Sequence, residues 1–279
     1  MRNESMRKAV TFVFMCVFGL IMIYPLIWLF SASFKSNEEI FGSLSLWPKE
    51  FLWNGYQNGW KGSGQYSFGL FFMNTFKLVL PTVFFTVVSS TLVGYGFARF
   101  QFPLKRLFFA LMISTLMLPN AVVMIPRYIL YKNLDWLNSY LPFIVPAALA
   151  TNAFFVFMLV QFFRGLPREL DESAKMDGCN SFMILVRILL PLAKPALFSA
   201  GIFEFIWTWN DFFNSLIYIT SVKKFTVSLA LRMALDNSAS IAWNQVLAMS
   251  VVAIIPCILV FFFSQKYFVE GIATTGIKG

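Results

Sequence analysis

The chain has 279 residues, 58% of them hydrophobic and only 13% charged, with a net charge of +9 and a mean hydropathy of +0.71. A soluble domain carries about a quarter charged residues, so the composition excludes a soluble fold. The excess lysine and arginine then reads as anchors for membrane helices rather than as a nucleic-acid surface. Histidine is absent, no phosphate-binding GxxxxGK[ST] loop occurs, and Cys16, Cys179 and Cys257 lack metal-ligand spacing; no catalytic centre and no metal site can be placed.

Arg2, Arg7 and Lys8 precede the first apolar run, residues 9–31. At ~1.5 Å per residue this run can span a bilayer, and it exceeds the ~7–15 residues of a signal-peptide core. Ser31-Ala32-Ser33 is a cleavage-like triplet, which keeps a removed signal peptide as the rival reading. Residues 34–68 are polar and aromatic, with Asn54, Gly55, Tyr56, Trp60, Gly62 and Gly64, and read as an external loop with a short interfacial helix near 50–60. Further apolar runs lie near 69–98, 107–130, 140–163, 188–220 and 243–268. The predicted fold is therefore all-α and integral to the membrane, with about six transmembrane helices. Pro119 and Pro126 loosen the third. The run 188–220 is long for one crossing, so part of it projects beyond the bilayer or it bends at Pro191 and Pro195.

Short loops set the orientation. Arg99, Lys105 and Arg106 flank one loop, and Arg164, Arg168, Lys175 and Arg187 mark another. With the N-terminal cluster on the same side, the positive-inside rule puts all of these, and both termini, in the cytoplasm. Lys223, Lys224 and Arg232 run against the rule.

The segment from about 164 to 191 is charged and broken by a glycine. Pro167 suits a first helical position, and Glu169, Asp171 and Glu172 favour the positive end of the helix dipole. Leu166, Leu170 and Ala174 recur at four-residue spacing and form one apolar edge. Gly178 stops that helix in the left-handed conformation. Ser181 is placed to cap a second helix that runs toward Pro191. The pattern alone fits a docking knob or an ordinary cytoplasmic loop.

Glu172-Ser173-Ala174, then three residues, Gly178, nine residues and Ile188-Leu189-Leu190-Pro191 resemble the EAA signature of ABC importer permeases at every fixed spacing. Ser173 replaces an alanine there, and is still small enough for close approach. "WTWNDFFNSLIYIT" at 207–220 is similar to the WN-(E/D)-F element of carbohydrate importer permeases. "MLPNAVVMIPRY" at 117–128 and the tail "YFVEGIATTGIKG" at 267–279 also look like that family, the group with the smaller maltose-permease subunit. The wording leans toward relatives that import oligosaccharides from pectin, rhamnogalacturonan or alginate.

The resemblance implies a single permease domain over 1–279 with the type I ABC importer fold, multi-pass in a bacterial plasma membrane. Residues 167–187 would form coupling helices seated in a cleft of a separate cytoplasmic ATPase. Glu172, Ser173, Ala174, Asp177, Gly178 and Pro191 would carry that contact. The chain would bind no cofactor; ATP and Mg would sit on the partner. Two ATPase subunits, a second homologous permease subunit and an external sugar-binding protein would complete the machine, with membrane lipid around it and no nucleic acid.

Polar groups inside a bilayer are costly and face the bundle interior or a wet cavity. Glu204, Trp207, Thr208 and Asp211 fall at i, i+3, i+4 and i+7, one helix face, which Asn214 and Ser215 extend by a turn. Indole packs on the apolar face of a pyranose, and carboxylates and amides bond its hydroxyls. Asn120, Met124, Arg127 and Tyr131 share a face on the third run, and Asn152 lies on the fourth. Each could equally be glue between helices. Arg127 and Lys77 favour acidic sugars while Glu204 and Asp211 disfavour them, so an oligosaccharide is expected, with uronate-containing ones as a subordinate choice.

Two alternatives remain open. Trp243-Asn244-Gln245 is shared with permeases for glycerol-phosphate esters. An ion-coupled secondary transporter would show internal repeats and buried acid–base pairs, and would leave the EAA element unexplained. A membrane enzyme lacks a nucleophile with a nearby base.

Overall fold

Lipid offers the backbone no hydrogen-bond partners, so an apolar run satisfies its own N–H and C=O groups, and a helix does this within one segment. The computed structural model describes residues 2–62, 65–236 and 241–276, with side chains from 6 to 265 within those ranges; Arg2, Gly64 and the tail motif at 267–279 lie outside the described side chains. The helices in chain order are α1 Arg2–Ala32, α2 Asn37–Gly42, α3 Asn54–Lys61, α4 Phe68–Arg99, α5 Lys105–Leu116, α6 Asn120–Asn133, α7 Leu141–Ala148, α8 Ala153–Gly165 and α9 Glu169–Met176. There follow α10 Ser181–Leu192, α11 Lys194–Trp209, α12 Phe212–Tyr218, α13 Val227–Asp236 and α14 Trp243–Gly276. Met6–Ala32, Phe68–Arg99, Leu141–Gly165 and Trp243–Gln265 are long and apolar enough to cross a membrane, and two bent pairs raise these four spans to six if each pair is one span.

The third and fifth runs are not single straight helices. α5 and α6 meet at 104°, where Pro119 is extended at φ −60°, ψ 136° and has no N–H to continue the ladder. The run 140–163 is interrupted between α7 and α8, with Ala150 in the left-handed region at φ 54°. α10 and α11 are bent by 78° at Ala193, between Pro191 and Pro195, as their missing donors require. Residues Ile184–Leu189 inside α10 are π-helical, and the Leu190 N–H donates to Leu185 O, five residues back. No sequence pattern announced that.

The chain divides into two compact units. The first comprises Met1–Leu70 and Ala230–Ile255. Along α1 the apolar side chains from Met6 to Leu26 are exposed on all sides, Phe12 by 70%, as lipid contact allows. Its far end is the opposite: Ser31 to Lys35 are buried, Lys35 to 2%. The Lys35 Nζ donates to Ser45 O and the Ser31 hydroxyl to Leu46 O. The Ser33 and Tyr56 hydroxyls share a 2.8 Å bond, and the Leu52 N–H donates to Phe34 O at 2.9 Å. The cleavage-like triplet is thus packed into the fold. α3 lies near the expected 50–60 stretch; α2 is an addition. Gly55 lets α3 approach closely, since a Cβ there would meet Asn244 O at 2.9 Å.

The second unit comprises Phe71–Leu229 and Pro256–Gly279. α4 is its longest helix, and its buried hydroxyls bond back along the helix, Thr82 to Leu78 O at 2.7 Å and Thr91 to Val87 O at 2.6 Å. One core cluster joins Tyr95 and Ala98 of α4 to Leu159, Phe163, Ala174 and Leu189. Another joins Leu78 and Val79 to Phe205, Trp209, Ile219 and Leu229. Lys224, one of the cations that ran against the positive-inside rule, donates to Asn138 O at 2.6 Å and so clasps two loops.

Candidate functional site

The helix after α8 begins two residues later than the sequence predicts. Arg168 caps α9, and its carbonyl accepts the N–H groups of Asp171 at 2.9 Å and Glu172 at 3.1 Å. Pro167 therefore precedes the cap instead of opening the helix. Glu169, Asp171 and Glu172 do occupy the first turn. The helix closes on Gly178 at φ 80°, with the Gly178 N–H donating to Lys175 O at 3.0 Å and the Cys179 N–H to Ala174 O at 2.9 Å. This pair of bonds is the Schellman pattern, which wants glycine at the left-handed position. The next helix is capped by Asn180, not by Ser181: the Asn180 Oδ1 accepts the Met183 N–H at 2.8 Å. Asn180 stands one residue earlier because the glycine turn is tighter than the sequence reading allowed.

The faces of α9 are sharply divided. Ala174 is buried in the core with Leu189. Glu172, Ser173 and Asp177 are exposed, as are Gly178 and Pro191. Glu172 thus points outward, free for a partner. A pair missed at the sequence level stands behind this surface. Arg99, the last residue of α4, places Nε 3.1 Å from Asp171 Oδ2 with both side chains nearly buried. The two atoms face each other off the hydrogen-bond axis, so the contact is an ion pair rather than a directed bond. The Arg99 Nη2 donates to Leu166 O at 3.1 Å and Pro167 O at 3.4 Å. Nothing in spacing links an arginine ending one apolar run to an aspartate so far along the chain.

The apolar-run polar residues separate into two groups. Glu204 is buried and accepts from the Thr86 hydroxyl of α4 at 3.1 Å; Thr208 bonds it too. Trp207 is 46% exposed and its ring lies 5.0 Å from Phe154 and 5.3 Å from Phe155 of α8, the helix whose N-cap is Asn152. The continuous face expected through Asp211, Asn214 and Ser215 is not formed. α11 stops at Trp209, and Asp211 caps α12 by accepting the Asn214 N–H at 3.0 Å and the Asn214 Nδ2 at 2.8 Å. A carboxylate that can bond the next helix start ends the one before it. Arg127 of α6 lies within electrostatic reach of Asp211 and Tyr218. Asn120 is exposed at the start of α6 and Met124 is half-buried; the structure brings neither to Glu204. Among the described residues no cluster could hold a metal ion.

Comparison with known proteins covers nearly the whole chain. Residues 90–274 match the family described as "Binding-protein-dependent transport system inner membrane component". The chain is 34% identical to the arabinooligosaccharides transport system permease protein AraQ of Bacillus subtilis (strain 168), over 98% of this chain and 96% of that one. It is 31% identical to the sn-glycerol-3-phosphate transport system permease protein UgpE of Yersinia pestis bv. Antiqua (strain Antiqua), over 92% and 93%. In fold it is similar to a chain in the crystal structure of a bacterial ABC transporter involved in the import of the acidic polysaccharide alginate, with a TM-score of 0.83 and 23% identity over 96% of this chain and 98% of that chain.

Proposed function

The chain belongs to the family of binding-protein-dependent transport system inner membrane components, and from that premise we propose that it forms half of the membrane pathway of an oligosaccharide importer, driven by a separate ATPase. It is a transport subunit of the membrane and not an enzyme. A second permease subunit, two ATPase subunits and an external sugar-binding protein complete the assembly; ATP and Mg sit on the ATPase. The observation that carries the reading is the α9–Gly178–α10 turn, which offers Glu172, Ser173 and Asp177 outward from a packed base. This side faces the cytoplasm, with both termini, and the loop over 34–68 faces out.

Coupling and passage fall to different residues. Glu172 is the charge that meets the ATPase, Ala174 and Gly178 give the segment its shape, and Pro191 ends its return helix. Trp207, beside Phe154 on the helix capped by Asn152, is the aromatic surface for a sugar ring, and Arg127 with Asp211 supplies polar contacts; Asn120 and Met124 line the approach. Glu204 and Thr208 hold α11 to α4 at the pathway wall. The Trp243-Asn244-Gln245 element, which pointed to glycerol-phosphate esters, is engaged internally: Asn244 bonds Asn37 Oδ1 at 3.2 Å and Asn54 Oδ1 at 3.3 Å.

The test is ATP turnover by the complete complex in nanodiscs with its binding protein, against arabino-oligosaccharides, oligo-uronates and sn-glycerol 3-phosphate. Stimulation by a saccharide class is expected; stimulation by glycerol phosphate alone would replace this reading. Trp207→Ala is expected to lower uptake about tenfold without loss of assembly, since one ring contact contributes roughly 0.5–1.5 kcal/mol beyond area burial; unchanged uptake would remove Trp207 from the pathway. Glu172→Lys is expected to cut stimulated turnover about tenfold, the scale of one charge-assisted bond, and full activity would leave its carboxylate without a role.

A further inference from the structure

We propose that Arg99 and Tyr95 bind the coupling segment to α4 so that the two move as one body, making α4 the rod that carries ATPase closure to Glu204. The proposal rests on the coupling role given to α9 and α10. α4 grips both limbs of the segment from one end. Arg99 holds the entry limb through Asp171 and the carbonyls of Leu166 and Pro167. The Tyr95 hydroxyl, one turn earlier, donates to Ser181 O of the exit limb at 3.0 Å. Rings close the gap between them: Tyr95 lies 5.2 Å from Phe100 and 6.1 Å from Phe163.

The chemistry suits a mechanical joint. The guanidinium is a planar fork that donates to carbonyls while it pairs with a carboxylate, a geometry lysine cannot copy. It also sits at the carbonyl end of α8, where a cation is favoured, so three helix ends meet on one side chain. About 20 Å along α4, Thr86 donates to Glu204 at 3.1 Å, and Ser89 donates to Ala147 O of α7 at 2.6 Å. A shift of α4 is therefore handed to α11 and α7 through buried bonds. Coupling across a protein requires such a packed chain with a discrete alternative arrangement, and α4 supplies the continuous element.

The experiment uses the full complex with its ATPase in nanodiscs, after replacing Cys16, Cys179 and Cys257. Spin labels go on Leu92 of α4, 50% exposed, and Met176 of α9, 89% exposed. Distances are read without nucleotide and after trapping with Mg–ATP and vanadate. The label pair is expected to keep its separation within about 2 Å on trapping, the scale of a helix shift. Arg99→Lys is expected to change it by more than about 4 Å, and Tyr95→Phe to broaden it, with basal ATP turnover kept. A wild-type distance that changes on trapping, or variants as rigid as wild type, would overturn the proposal. If Arg99→Lys fails to assemble and Tyr95→Phe stays rigid, the contacts serve folding alone and the proposal falls. Absence of any ATPase from the purified wild-type complex would overturn the coupling role itself, and this inference with it.

Discussion

Gly178→Pro is expected to abolish stimulated ATP turnover while leaving the membrane helices folded. Gly178 sits at φ 80°, and proline is fixed near −65°. The substitution also removes the N–H that donates to Lys175 O at 3.0 Å. The turn must reopen, at a cost of ~3 kcal/mol or more, and α9 can no longer present Glu172 and Asp177 on the surface they now occupy. Gly178→Ala separates shape from space. A Cβ at Gly178 meets nothing within 4 Å, so alanine bears only the left-handed penalty of roughly 1–2 kcal/mol. Turnover should fall about tenfold in that variant and be undetectable in the proline one. Co-purification of the ATPase with normal stimulation in Gly178→Pro would remove the turn from coupling.

Glu204→Ala is the second large effect, and it should appear in stability as well as uptake. Glu204 is 7% exposed and receives hydroxyls from Thr86 and Thr208. Alanine leaves both hydroxyls unpaired beside a void, a loss of roughly 2–4 kcal/mol. Interhelical bonds in bilayers contribute about 0.6–2 kcal/mol each, so the sum is consistent. Glu204→Gln retains an acceptor and should stay within about 1 kcal/mol of wild type. Thermal unfolding of the purified complex, read beside uptake, decides the matter. If glutamine is as damaging as alanine, the carboxylate has a role in passage beyond joining α11 to α4.

The comparison of these two sites shows what a sequence exposes. Gly178 was legible because a left-handed cap leaves a local mark, a glycine closing an amphipathic turn. The six apolar runs were legible for the same reason, since each must be helical on its own account in lipid. Bends at proline were visible, but their angles were not, because 104° and 78° are set by what each half packs against. The Glu204–Asp211 face failed at Asn210: i, i+3, i+4, i+7 spacing presumes an unbroken helix, and Asp211 bonds the following helix start instead. Arg99 and Asp171 were invisible as a pair, since a tertiary contact writes nothing into local spacing. Ser181 lost the cap to Asn180 for a smaller reason, a difference of one residue in a tight turn.

Lys35 has a consequence for what fixes the depth of α1. Its amine is almost fully enclosed and donates to Ser45 O, ten residues further along the chain. A bare ammonium is costly to shut away without its acceptor, so the enclosed seat of Lys35 depends on the Ser45 carbonyl. Ser45 and Leu46 cap Lys35 and Ser31 together, so a change in either carbonyl would shift the end of α1. The far end of the first helix is thus held by residues that follow it in the chain, Ser45 and Leu46.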